Sequence, residues 1–385
     1  KKYPYVDMVV GTKDIDKLVM MVNSGLMNQA PTNTEDTLRG QLNQTVKNKR
    51  VHVDGDAYFE PGADVIKRDC DYKAWVSIIK GCENFCSYCV VPYVRGKEIS
   101  RPKHEILEEI KKLGDSGVKE ICLLGQNVNS YRDNSGLMNQ APTNTNMNMN
   151  ININTNMTYG FVDLLNDIDK LNAVPRIKFI TSHPKDISLE LLYAMRDLKS
   201  VCEFLHFPAQ SGSNKILKLM NRGYTREKYI ELVHKAREIA PNITIGTDFI
   251  VGFPGETNED FKETVSLMQE LKFDIGYFFK YSKRKGTKAY AFDNHLDEDT
   301  KKARHKILYE LQQEHTLISN QKDIGKVMEV LLDGPSKTNS SKFQGRTRTN
   351  KVVIIESEED LKPGEFLDVK IFKGTSYIQG IIQEE

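Results

Sequence analysis

The sequence has little of several things, and each shortage excludes something. It holds six cysteines and one tryptophan in 385 residues. So few thiols cannot make a disulfide scaffold, which small secreted domains build at far higher density. No apolar run reaches the roughly 18 residues that a membrane-spanning helix needs. An excess of one charge is missing too: 54 Lys and Arg stand against 53 Asp and Glu, a net charge of +1. Bulk charge therefore neither demands nor excludes a nucleic-acid partner, and any basic patch must be local. No cysteine precedes Cys70, and the first residue is Lys rather than Met. A strand-like segment (5–10) comes at once, so the numbering is expected to begin inside a domain. The lack of a leader peptide then carries no weight.

What is present suits two or three domains. With 39% hydrophobic residues the chain can bury a core. Two segments look foreign to the rest. NSGLMNQAPTNT stands at 23–34 and again at 134–145, where it runs on into NMNMNININTNMT, ending at Thr158. Asn alternating with Met or Ile has little to bury in an organised way, so 134–158 reads as a disordered surface insertion. Around it, residues 70–285 alternate between two periods. Apolar runs at 75–79, 121–124, 177–180, 204–207, 243–251 and 275–281 read as strands. Helical patterns lie at 103–115, 161–171, 189–198, 214–220, 226–240 and 259–271. Ser188 and Thr225 precede two of these, and Thr257 with Asp260 forms a capping pair. Such alternation implies an α/β fold with parallel strands, whose functional residues sit at the strands' C-terminal ends. A charged helix (291–323) then leads to a tail, 324–385. Its β-rich runs at 327–332, 351–355, 365–372 and 376–382 read as a small all-β barrel.

The strongest chemical signal is Gly81-Cys82-Glu83-Asn84-Phe85-Cys86-Ser87-Tyr88-Cys89, directly after the first strand. Three thiolates on one tight loop suit three corners of a cubane [4Fe–4S] cluster and leave the fourth iron open. A structural zinc site would want a fourth ligand. Cys70 and His104 are the nearest candidates, and neither has the spacing. Cys122 and Cys202 sit in apolar strand contexts and read as core thiols.

These residues carry a resemblance. C-x3-C-x2-C after the first strand resembles the radical S-adenosylmethionine (SAM) enzymes. Seven segments in order resemble their methylthiotransferase branch: GCENFCSYCVVPYVRGKEISRP (81–102), LLGQNVNSY (123–131), TSHP (181–184), HFPAQSGS (206–213), MNRGYTREKY (220–229), TDFIVGFPGET (247–257) and YSKRKGTKA (281–289). The resemblance implies a partial (β/α)6 barrel over 70–290. In it Cys82, Cys86 and Cys89 hold the cluster, whose open iron binds SAM. Tyr88 would lie near the adenine, and Gln126, Asn127, Gln210, Ser211 and Asp248 would contact SAM. Arg95 and Arg222 would face SAM, substrate phosphate or a structural partner. IGKVMEVLLDGPSK (324–337) and GRTRTNKVVI (345–354) resemble the TRAM domain, a small RNA-binding barrel. Lys337, Lys342, Arg346, Arg348 and Lys351 fall in a stretch without an acidic residue, which suits phosphate contact. Phe343 would stack on a base. On this division the tail supplies affinity, and its removal is expected to spare SAM cleavage.

The same family has an N-terminal α/β domain whose three cysteines hold an auxiliary [4Fe–4S] cluster. Residues 4–19 look like its last strand and helix, so 1–69 reads as a remnant of that domain plus linker, with the auxiliary ligands absent. The implied reaction is transfer of a methylthio group to C2 of N6-isopentenyladenosine 37 in tRNA. The alternatives are threonylcarbamoyladenosine 37, a ribosomal protein, or a catalytically incomplete protein that binds SAM and RNA. The expected partners are the tRNA anticodon stem-loop and an electron donor such as flavodoxin or ferredoxin, with no membrane. A monomer in the cytoplasm is expected, with an organelle as the alternative.

Overall fold

The computed structural model describes residues 70–133, 159–337, 339–357 and 360–383. The expected domain remnant (1–69) and the Asn-rich segment (134–158) lie outside the described residues. The chain divides into two compact units, of which the second is Arg68–Pro92 with Gly96–Glu385.

Strands and helices alternate along this second unit. They are β1 (Lys73–Ser77), α1 (Lys103–Asp115), β2 (Glu120–Leu124), α2 (Phe161–Leu171), β3 (Arg176–Phe179), α3 (Leu189–Asp197), β4 (Phe204–His206), α4 (Asn214–Leu219), α5 (Arg226–Ile239), β5 (Thr244–Val251), α6 (Asn258–Leu271) and β6 (Ile275–Lys280). The caps form as their residues predict. Ser188 Oγ accepts from Leu191 N–H at 3.3 Å and Thr225 Oγ1 from Lys228 N–H at 3.3 Å. Thr257 and Asp260 close a reciprocal capping box. Each such cap stabilises its helix by about 1 kcal/mol.

All six strands run parallel, in the order β1-β2-β3 in one sheet and β4-β5-β6 in the other. A bridge between Ile177 and Val201 links the two sheets. One face of each strand is apolar and meets the helices. Val76, Ile121, Leu123, Ile177, Phe179, Ile245 and Phe249 share a core with Ile106 and Ile110 of α1 and Leu164, Leu165 and Ile168 of α2. Each fully buried side chain of this kind contributes roughly 1.5–3 kcal/mol. Alternation turns the intervening residues to the concave face, which carries Trp75, Cys122, His206, Asp248 and Tyr277. Beyond the end of β2, Arg132 and Asp133 pair antiparallel with Gly160 and Tyr159.

Helix α7 (Glu298–Gln321) leads to a closed five-stranded barrel of β7 (Val327–Pro335), β8 (Phe343–Thr347), β9 (Val352–Glu356), β10 (Phe366–Gly374) and β11 (Ile378–Ile382), ordered β7-β8-β9-β11-β10. The sequence pattern shows four of these strands. It misses β8, which reads FQGRT and lacks apolar alternation. Packing decides this strand: a Cβ on Gly345 would lie 2.5 Å from Val330 Cγ1 and 2.6 Å from the Leu331 carbonyl.

This tail barrel is joined to the N-terminal ends of the parallel strands by charge pairs. Arg176, fully buried at the start of β3, donates from Nε and Nη2 to Glu329 Oε1 at 2.9 and 2.7 Å, and from Nη1 to the Arg346 carbonyl at 2.9 Å. Lys73 pairs with Asp333, and the Tyr72 hydroxyl donates to the Asp333 carbonyl at 3.1 Å.

Candidate active site

The opposite ends of the strands carry the thiol loop. Gly81 opens it at φ +77, and a Cβ there would lie 1.9 Å from the Lys97 carbonyl, so only glycine fits. Cys82 and Cys86 are buried and Cys89 is half-buried. Each sulfur accepts a hydrogen bond: Asn84 Nδ2 reaches Cys82 at 3.4 Å, Arg222 Nη1 reaches Cys86 at 3.4 Å, and Val91 N–H reaches Cys89 at 3.4 Å. Polarised donors aimed at sulfur favour the thiolate. Burial pushes the Cys82 and Cys89 thiols up. At Cys89 the Val91 amide and the charges of Arg284 and Arg222 pull the other way. Among the described residues no three Cys, His, Asp or Glu side chains converge to hold one ion. Three thiolates suit three corners of a cubane cluster, whereas structural zinc wants a fourth ligand.

The loop is braced from several sides. Ser87 N–H donates to the Met220 carbonyl at 3.0 Å, and Ala289 N–H donates to the Ser87 carbonyl at 2.7 Å. Asn221 Nδ2 spans the Asn84 and Phe85 carbonyls at 3.2 and 3.1 Å. Phe85, Thr181, Gln210 and Asn221 all hold left-handed backbone, at φ 46, 68, 67 and 60. Such strain in non-glycine residues costs of order 1–3 kcal/mol each and gathers at functional sites.

The residues expected to contact SAM meet different fates. Gln210 follows β4, where its backbone bridges to Phe249 of β5. Its side-chain amide has no partner among the described residues. Asp248 Oδ1 lies 3.0 Å from His206 Nε2 on the concave face. Asn127 is buried; its Nδ2 donates to Asp186 at 2.6 Å while its Oδ1 has no partner among the described residues. Gln126 beside it is half-buried. Ser211 faces the helix layer instead, within 3.4 Å of Thr264 Oγ1. Tyr88 packs against the small core of Ile216, Met220 and Phe253, and its hydroxyl accepts from Arg222 at 3.4 Å.

Two residues matter more than their sequence context shows. Arg222 is buried and donates to Cys86, Tyr88, Tyr224 and the Pro208 carbonyl. Burial works against its charge, yet Tyr224, Tyr88 and Cys86 around it hold the guanidinium well above its ordinary pKa. His183 is buried with Nε2 unpartnered among the described residues, and burial, aided by Arg222 and Lys185, drives its pKa down to about 2. TSHP and MNRGY are the motifs that hold them, but only the fold brings them together. Cys202 is a buried core thiol, pushed up to about 11 by burial, and Cys122 is pushed up to about 12.

The tail cations lie elsewhere. Arg348 pairs with Glu203 at 2.9 Å and donates to the Val201 carbonyl at 2.7 Å. Lys351 pairs with Asp323 at 2.6 Å, Lys342 pairs with Glu356, and Arg346 donates to the Asn350 carbonyl at 3.2 Å. Lys337 is exposed. Phe343 is half-buried against the tail core.

Comparison with known proteins agrees with this arrangement. Residues 76–268 match the radical SAM superfamily and 321–378 match the TRAM domain. The tRNA-2-methylthio-N(6)-dimethylallyladenosine synthase of Acetivibrio thermocellus is 43% identical over 371 residues, 96% of this chain and 69% of that protein. The protein of the same name from Thermoanaerobacter sp. is 44% identical over 385 residues, 100% of this chain and 74% of that one. Kinship over so much of both sequences, with the thiol loop at the mouth of six parallel strands, means that the chain belongs to the radical SAM superfamily and, within it, to the family of these synthases.

Proposed function

We propose that this chain carries out the chemistry of a tRNA methylthiotransferase, replacing the C2 hydrogen of N6-isopentenyladenosine 37 with a methylthio group. The observation that carries the reading is the loop of Cys82, Cys86 and Cys89, each sulfur hydrogen-bonded, at the open end of the strands. The three would hold a [4Fe–4S] cluster. When bound, such a cluster supplies the electron that splits SAM and yields a 5′-deoxyadenosyl radical, which an unreactive aromatic C–H bond requires.

The chain's own residues prepare that site. The Arg222 guanidinium offsets negative charge at Cys86. The amide of Gln210 would meet a polar group of SAM with Gln126 beside it, and the buried Asn127, tied to Asp186, backs that turn from inside. Asp248, steadied by His206, is placed to accept from a ribose hydroxyl. Tyr88 walls the adenine side. Ser211 acts on the packing of the β4–α4 turn rather than on SAM. The tail barrel adds RNA affinity through Lys337 and, secondarily, Lys342 and Arg346. An auxiliary [4Fe–4S] cluster belongs to the same chemistry, and none of its ligands is assigned to a residue of this chain. An acidic flavodoxin or ferredoxin would supply electrons to a monomer working in the cytoplasm.

The test is anaerobic reconstitution with iron and sulfide, then reaction with SAM, dithionite and an isopentenylated anticodon stem-loop. Nucleoside mass spectrometry should show the methylthio product. SAM cleavage with an unmodified stem-loop, alongside modification of a threonylcarbamoyl stem-loop, would overturn the substrate assignment.

A further inference from the structure

The geometry points to the loop 282–288, at the mouth beside the thiols, as the surface that grips the RNA backbone flanking the target base. The inference rests on the proposed function, and it adds a contact surface that the expected tail cations do not supply.

Residues 275–292 contain Lys280, Lys283, Arg284, Lys285 and Lys288 and no acidic residue. Lys280 pairs with Glu298 at 3.1 Å. The other four are exposed and hold no ion pair among the described residues. Lys283 lies over the Tyr290 ring at 5.7 Å. A chain with a net charge of +1 thus concentrates four open cations on one turn. Phosphodiesters are the ligands such a cluster suits, because each neutralised phosphate releases counterions.

The loop is also rigidly placed. Tyr281 N–H donates to the Val251 carbonyl at 2.9 Å, and Ala289 N–H to the Ser87 carbonyl at 2.7 Å. Between these anchors, Thr287 Oγ1 donates to the Arg284 carbonyl at 2.7 Å, and Gly286 takes φ +90. Tyr281 and Ala289 are buried in the small core that also receives Tyr88. The cations are therefore held at a set distance from Cys86 and Cys89, rather than on a free tail.

Exposed rings flank the cations. Tyr277, Phe279 and Tyr290 are 48%, 52% and 44% exposed. Aromatic faces interleaved with cations accept unstacked bases, and enzymes that act on a base must draw it out of its stack. An acidic electron-transfer protein would use the cations but has no need of the rings, which favours RNA. By contrast, Arg348 and Lys351 cannot reach phosphate without leaving Glu203 and Asp323.

The full chain, cluster-loaded, would be compared with the triple variant Lys283→Gln, Lys285→Gln, Lys288→Gln and with Lys337→Gln, Lys342→Gln. The probe is an isopentenylated anticodon stem-loop, titrated by fluorescence anisotropy across a salt series. The loop variant should bind roughly tenfold or more weaker near 0.1 M salt, with the slope of log affinity against log salt shallower by about 2. Its SAM cleavage with dithionite and no RNA should match wild type, which shows an intact fold. Wild-type binding with an unchanged loop variant overturns the loop assignment alone. A slope change confined to the tail variant also overturns it, returning the contact to the tail. Unchanged RNA binding with lost reduction by flavodoxin, rescued by dithionite, reassigns the cations to the electron donor. A wild-type chain that does not bind the stem-loop overturns the proposed function together with this surface.

Discussion

At the C-terminal ends of β1–β6 several polar groups lack a partner among the described residues, whereas at the N-terminal ends the cations that meet the tail barrel are paired with carboxylates. The mouth holds three hydrogen-bonded thiols, an Asn127 oxygen without a partner among the described residues, and strained backbone at Phe85, Thr181 and Gln210. The foot holds Arg176, Lys73 and Arg348, each matched to a carboxylate. The difference teaches how to read charge in this fold. Open groups mark where a ligand is expected, and paired groups mark where the chain holds itself together. Four of the five basic residues that looked like an RNA surface in the sequence contact groups of the protein itself.

The sharpest way to break the comparison is Cys86→Ala. At the mouth it should abolish the broad visible absorption of reconstituted protein and lower SAM cleavage by at least about a thousandfold, an effect worth about 4 kcal/mol in barrier terms. Far-UV circular dichroism should stay unchanged. Retained absorption and cleavage would remove Cys86 from the cluster.

At the foot, Glu329→Ala should act on stability rather than chemistry. It leaves the buried Arg176 with a weaker partner in Glu120 at 3.8 Å. Breaking a buried pair costs about 3–5 kcal/mol, and the partial exposure of Glu329 lowers the expected loss to roughly 2 kcal/mol. Urea unfolding would read it as a lower midpoint with unchanged slope. No loss would mean that the foot is not held by this pair. The same contacts join the tail to the foot, so its removal exposes Arg176 and Lys73 to water and should lower the stability of the parallel barrel, while SAM cleavage by the folded protein is still expected without the tail.

An effect of similar size that depends on pH belongs to the mouth. His183 is neutral in the native protein down to about pH 2, whereas unfolded it takes up a proton below about 6.5. A folded pKa below the unfolded one gives stability that is fully present above pH 6.5 and is lost as pH falls. The loss is about 1.4 kcal/mol per unit, or roughly 2 kcal/mol between pH 7 and pH 5. His183→Asn should flatten that slope. Equal slopes for both proteins would mean that His183 is protonated and partnered in the native state.

Much of the fold was legible because its signals are local. Alternating apolar runs, caps at Ser188, Thr225 and Thr257, and glycine turns all act within a few residues, and the helices at 103–115 and 161–171 match to the residue. The thiol loop was legible for the same reason, since three cysteines lie within eight positions. Strand β8 was not, because Gly345 is demanded by Val330 and Leu331 from another strand. The contact of Ser211 with Thr264 was not legible either, because its motif says nothing of the α6 side chain that meets it.

What the sequence determined by itself was therefore the class of fold, the thiol loop and the family, each encoded by short spacings that need no distant partner. Only the tertiary structure decided which charges are open to a ligand. Arg348 and Lys283 look alike in the chain, and both stand in acid-free stretches. The fold brings Glu203 to the first from far away in sequence and, among the described residues, brings no carboxylate to the second. A charge is open or engaged according to what lies within a few ångströms of it, and long-range packing sets that distance.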